Sequence, residues 1–189
     1  MMGQKINILG FAGSLRKGSY NRALLRAAVE LAPEGATVEV FDLEGIPPFN
    51  NDLLAAMPER VREFKDRIKT ADAILIATPE YNYSIPGVLK NAIDWASRPF
   101  EENSLKEKPV AIMSASTGML GGVRAQYHLR QCFVYLNMFP LNKPEVIVTH
   151  AARKFDAKGR LTDETTRKCV VDLLAALAAW TRRLRPSAG

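Results

Sequence analysis

An unbroken apolar run, Ala73-Ile74-Leu75-Ile76-Ala77, leaves this chain few architectures to choose from. A strand with no polar residue at alternate positions must be covered on both faces, as in parallel sheets flanked by helices. Further strand-like runs at about Lys5–Ala12, Thr37–Phe41, Val110–Met113 and Val146–Val148 alternate with helical periodicity. The first helix is expected over about Asn21–Ala32, with Leu24, Ala27, Ala28 and Leu31 on one face. Pro58 opens a second, striped by Val61, Phe64, Ile68 and Ala71, and Pro86 opens a third. A fourth spans about Gly122–Met138 and the last about Asp163–Leu184. Five strands alternating with five helices specify right-handed crossovers. The solution is α/β and flavodoxin-like: a five-stranded parallel sheet, order 2-1-3-4-5, with helices on both faces. At 189 residues and 47% hydrophobic content, one such domain accounts for the whole chain.

That strand order reverses between the first and third strands, so a ligand is expected at their C-terminal edges. The loop after the first is Gly13-Ser14-Leu15-Arg16-Lys17-Gly18-Ser19-Tyr20-Asn21. A strand passing through a Gly/Ser loop into a helix aims backbone N–H groups and the helix dipole at one spot. Ser14, Ser19 and Asn21 add neutral hydrogen-bond partners, and the Arg16 guanidinium matches phosphate oxygens. The loop reads as a cradle for a phosphomonoester. A Walker A loop is excluded because Ser19 follows Gly18 where the lysine belongs. The dinucleotide fingerprint is excluded because Gly10 and Gly13 are wrongly spaced. An ordinary strand-to-helix turn with Ser19 as its N-cap is the competing reading.

After the third strand comes Thr78-Pro79-Glu80-Tyr81-Asn82-Tyr83-Ser84-Ile85-Pro86, a stiff polar–aromatic shelf suited to a flat heteroaromatic ring. After the fourth comes Ser114-Ala115-Ser116-Thr117-Gly118-Met119-Leu120-Gly121-Gly122, whose small residues let backbone N–H groups approach a ligand. Taken alone, it reads equally well as a permissive turn.

Other features narrow the class. Apart from Arg182-Arg183-Leu184-Arg185, which reads as a solvated helix end, the basic residues behind the formal charge of +6 are spread among acidic ones, which argues against nucleic acid and agrees with an anionic ligand. Cys132 and Cys169 lie in helical patterns and read as buried free thiols. His128 and His150 show no metal-ligand spacing. No apolar run approaches the roughly 20 residues of a membrane span. Residues 1–5 lead into a strand without a signal peptide, so a cytoplasmic protein is expected.

Gly13-Ser14-Leu15-Arg16-x-x-Ser19-x-Asn21, Pro79-Glu80-Tyr81-Asn82 and Pro86-Gly87-x-Leu89-Lys90-Asn91-x-x-Asp94-Trp95 together resemble the NAD(P)H-dependent FMN reductase family, in particular its chromate/quinone reductase branch. The resemblance implies FMN as cofactor and NADPH or NADH as co-substrate. It implies phosphate contacts from Ser14, Arg16, Ser19 and Asn21. The isoalloxazine would lie on Pro79, Glu80, Tyr81, Asn82 and Ser84, with Ser116 and Gly118 near its pyrimidine edge. Tyr20 and Tyr83, within the two loops, complete the expected cofactor-binding set, although the resemblance itself assigns nothing to Lys17 or Tyr20.

The implied reaction is ping-pong: NAD(P)H gives hydride to flavin N5 and leaves, and a quinone, free flavin or an oxyanion such as chromate then takes two electrons. No catalytic acid, base or nucleophile is expected from the protein, and Glu80 reads as a positioning group. A flavodoxin-type electron carrier or FMN-binding sensor is the alternative, disfavoured by the net basic charge.

The fourth helix adds a partner. Beside its core stripe of Ala125, Leu129, Cys132, Phe133 and Leu136, the residues Tyr127, Val134 and Met138 fall within about 40° of one another on the other side. A homo-oligomer through this helix is expected, and the resemblance implies a homotetramer built from pairs of dimers. The loop Pro47–Asp52 is a candidate for reaching a neighbour's site.

Overall fold

The computed structural model describes residues 5–185. Residues 1–4, which the sequence reads as leading into the first strand without a leader, lie outside the described residues. The strands are β1 (Ile6–Ala12), β2 (Ala36–Phe41), β3 (Ala73–Thr78), β4 (Pro109–Ala115), β5 (Phe139–Pro140) and β6 (Val146–Val148). The helices are α1 (Tyr20–Glu30), α2 (Glu59–Thr70), α3 (Gly87–Ala96), α4 (Val123–Leu136) and α5 (Glu164–Leu184). Among the described residues no helix is long and apolar enough to cross a membrane.

All strand pairs are parallel and the order is β2-β1-β3-β4, as the alternation requires. The fifth position differs from expectation, because two short segments share it. β5 pairs with the start of β4 (Pro109↔Phe139), and β6 pairs with its end (Met113↔Val146 to Ala115↔Val148). The sequence shows only the second, since two residues carry no alternation to read.

Strand alternation sorts the core into two layers. Ile6, Ile8, Leu75, Ala77 and Met113 pack under α1 and α5, while Leu9, Phe11, Ile74, Ile76 and Ile112 pack under α2, α3 and α4. Pro33 ends α1 earlier than expected, because the residue before a proline is pushed out of helical geometry. Pro58 and Pro86 stand immediately before α2 and α3 rather than within them.

The end of α4 corrects the sequence reading of its second apolar stripe. Asn137 turns left-handed (φ 53°), and the Met138 N–H donates back to Phe133 O at 3.0 Å, a Schellman-type stop. Met138 therefore leaves the helical spiral and enters the core at 5% exposure. Tyr127 and Val134 remain outside, 59% and 83% exposed, with Tyr135 beside them. Cys132 and Cys169 are free thiols, half-buried rather than buried. Burial raises the Cys132 pKa above the usual thiol value.

Candidate functional site

The loops after β1, β3 and β4 meet at the sheet's C-terminal edge. They enclose a cleft of ≈ 280 Å³ lined by Ser14, Arg16, Ser19, Tyr20, Asn21, Pro79, Glu80, Tyr81, Ala115, Ser116 and Thr117. A larger cleft of ≈ 420 Å³ at the opposite end carries less chemistry. There Lys108 Nζ donates to the α2 C-terminal carbonyls of Lys69 and Ala71 at 2.8 and 2.6 Å, and Asp72 is paired with Arg185. Those polar groups serve the fold.

At one end of the smaller cleft, Gly13 brings the loop against α3. A Cβ there would lie 3.2 Å from Leu89 Cβ and Thr78 Oγ1. Ser19 caps α1, its Oγ accepting the N–H groups of Asn21 and Arg22 at 3.2 and 3.5 Å. The competing N-cap reading is thus true of Ser19 while it also lines the cleft. Among the described residues, the backbone N–H groups of Leu15, Arg16 and Tyr20 donate to no protein acceptor. No carboxylate occupies the first turn of α1, and none among the described residues pairs with Arg16. Unclaimed donors around a helix N-terminus, with a guanidinium beside them, form a donor set that suits a phosphate.

Asn21 stands in this lining with its side chain committed elsewhere. Its Oδ1 accepts the Ala115 N–H and its Nδ2 donates to Ala115 O, both at 2.9 Å. The buried carboxamide (2% exposed) pairs with the end of β4 much as a neighbouring strand would.

At the other end, Tyr81–Ser84 form a two-residue hairpin, with Tyr81 N–H to Ser84 O at 3.0 Å and Ser84 N–H to Tyr81 O at 2.9 Å. Asn82 (φ 51°) and Tyr83 (φ 66°) are both left-handed, the pattern of a type I′ turn. Tyr81 faces the cleft, whereas Asn82, Tyr83 and Ser84 lie outside its lining. Gly118 also lies outside it, its N–H donating to Ser116 Oγ at 3.2 Å and its carbonyl accepting the His150 N–H at 3.1 Å.

Glu80 Oε2 accepts the Arg124 N–H at 3.0 Å and its Oε1 accepts from the guanidinium at 2.9 Å. Ser84 Oγ and His128 Nδ1 are hydrogen-bonded at 2.7 Å. Sequence reasoning misses both α4 residues as members of this neighbourhood, since each partner is 44 positions away along the chain.

A doubly wound parallel sheet with a phosphate-suited loop and an aromatic hairpin facing each other across its reversal point defines a flavodoxin-like mononucleotide-binding protein. Residues 6–153 match the NADPH-dependent FMN reductase family. An NAD(P)H-dependent FMN reductase of Pseudomonas aeruginosa is 53% identical over 185 residues, 97% of this chain and 100% of the relative. A 2-hydroxy-1,4-benzoquinone reductase from a Burkholderia species is 42% identical over 180 residues, 95% of this chain and 98% of the relative. Among solved structures, FerB, a flavoenzyme NAD(P)H:(acceptor) oxidoreductase from Paracoccus denitrificans, aligns with a TM-score of 0.87 at 37% identity, covering 94% of this chain and 98% of that one. The chain belongs to the NADPH-dependent FMN reductase family, as the loop motifs imply, and is an enzyme of that flavin-dependent, nicotinamide-driven class.

Proposed function

We propose that the chain is one FMN-binding domain that oxidises NADPH or NADH and passes two electrons to a small quinone, with free flavin and oxyanions such as chromate as further acceptors. The observation that carries this reading is the single cleft, with unclaimed donors at one end and the Tyr81 hairpin at the other. FMN, when bound there, supplies the two-electron hydride chemistry. Arg16, Ser14, Ser19 and the N–H groups of Leu15, Arg16 and Tyr20 hold the phosphate. Asn21 keeps that loop against β4 instead of gripping the phosphate through its side chain. Pro79, Glu80 and Tyr81 support the ring, and Ser116 with Gly118 faces its polar edge. Asn82, Tyr83 and Ser84 shape the hairpin behind it.

Both ends are needed. A charge-assisted hydrogen bond contributes about 1.5–3 kcal/mol, whereas immobilising a ligand costs on the order of 4–15 kcal/mol.

The donor leaves before the acceptor enters, and no side chain in the cleft is required to move a proton. The test is the visible spectrum of the purified protein, its bleaching by NADPH or NADH, and initial rates with a quinone. A flavin spectrum and parallel double-reciprocal lines are expected. A protein that stays colourless after soaking in FMN would overturn the reading, and intersecting lines would replace ping-pong transfer with a ternary complex. A nicotinamide donor supports a cytoplasmic setting.

The exposed face of α4 supports a homo-oligomer, a dimer or a pair of dimers, joined through Tyr127 and Val134 without Met138. The loop Pro47–Asp52 is fastened to its own chain at one end. Asn91 accepts the Phe49 N–H at 2.7 Å and donates to Pro47 O at 2.9 Å, while Trp95 Nε1 donates to Pro47 O at 2.8 Å. Any reach toward a neighbour's site falls to residues beyond Phe49, where Asn51–Ala56 form a 3-10 turn with no buried residue.

A further inference from the structure

We propose that Arg124, assisted by His128, is a positioning residue that braces the Tyr81–Ser84 hairpin from behind and so fixes the surface on which the flavin ring lies. The proposal rests on the flavin-binding reading of the cleft.

A two-residue hairpin on its own is marginal, and this one places a tyrosine where left-handed backbone is strained for a bulky residue. Tyr83 is 72% exposed in a single copy, so burial within its own chain does not hold it. The Arg124 guanidinium does, lying 3.9 Å from the centre of the Tyr83 ring. The same guanidinium donates to Glu80 Oε1, while the Arg124 backbone N–H donates to Glu80 Oε2. One helix turn further along, His128 holds Ser84. Residues 80, 83 and 84 are therefore tied to α4, leaving Tyr81 toward the cleft.

The brace is anchored on the sheet. α4 begins after Gly121 and Gly122, both left-handed, where added Cβ atoms would lie 2.5 Å from Ile147 Cγ2 and 2.9 Å from Ser114 Cβ. The loop is thus packed directly on β6 and β4. Partly exposed ion pairs contribute little to global stability. The effect of this one is local, restricting the hairpin to a single arrangement before the ring arrives, so that binding does not have to order it.

The experiment compares full-length wild type with Arg124→Met, Arg124→Lys and His128→Ala. It measures FMN dissociation constants, the visible circular dichroism of the FMN-saturated proteins, and apoprotein melting. Arg124→Met is expected to weaken FMN about tenfold and to change the dichroism of the bound ring, with apoprotein melting within about 2 °C of wild type. Arg124→Lys is expected to recover part of both changes, since it restores a cation beside Glu80 and Tyr83. His128→Ala is expected to weaken FMN by about threefold, and it decides for or against the brace by itself if Arg124→Met does not fold. FMN affinity and dichroism matching wild type in the variants would overturn the brace alone. So would a lowered melting temperature with unchanged dichroism, which would make Arg124 merely structural. Failure of wild type to bind FMN would instead overturn the reading of the cleft, and the brace with it.

Discussion

Arg16, in the loop after β1, and Asn21, in the first turn of α1, have different roles. Arg16 is exposed and has no carboxylate partner among the described residues, so its removal should leave the apoprotein as stable as before. Arg16→Ala is expected to weaken FMN by more than about tenfold in a titration of apoprotein; unchanged affinity would remove the phosphate assignment. Asn21 is the reverse case. Asn21→Asp would set a carboxylate oxygen against the Ala115 carbonyl in a buried place, and denaturant unfolding of the apoprotein should show a loss of about 3 kcal/mol. Stability equal to wild type would mean that the pairing with Ala115 is not holding the loop. Residue type and spacing mark both side chains as polar partners of a phosphate. Only the fold, which carries Ala115 to Asn21 across 94 positions, separates a side chain left without a carboxylate partner from a strut.

Among the elements, β3 and β4 are legible in the sequence from continuous apolar runs and β1 from a run broken only by Asn7, and the loops that follow them are legible with them. β5 is not, for its two residues acquire strand character only by lying beside Pro109 and Val110. Apolar periodicity misplaces Met138 because it extends a 100° spiral through Asn137, whose left-handed turn is a local choice that such periodicity does not register. The start of α5 offers a test at this scale. Asp163 Oδ1 accepts the Thr166 N–H at 2.9 Å and its hydroxyl at 2.5 Å. The Thr166 side chain, then its backbone N–H, lowers the Asp163 pKa below the ordinary aspartate value. A carboxyl lowered in the folded state contributes stability above its unfolded pKa and loses it as pH falls through the folded one. Asp163→Ala is expected to cost about 1 kcal/mol at neutral pH. The two unfolding curves should converge in acid, and a gap that persists below the carboxylate range would contradict the cap.

For the whole molecule, the exposed side of α4 is the feature a lone copy leaves unexplained. Val134, Tyr127 and Tyr135 stand in solvent, and Tyr135 meets Phe100 with ring centres 5.7 Å apart. Val134→Glu is expected to shift the proposed oligomer to monomers in light scattering while leaving FMN bound. A wild type that is already monomeric would refute the assembly.

The carboxamide of Asn21 has one further consequence. Because it fastens the start of α1 to the last residue of β4, the two flanks of the cleft cannot flex independently. With a phosphate held as proposed, a pull at that end would pass through the Asn21–Ala115 pair to Ser116. The pocket would then act as a pincer with a common pivot, a guest seated by its tail meeting an opposite jaw already steadied.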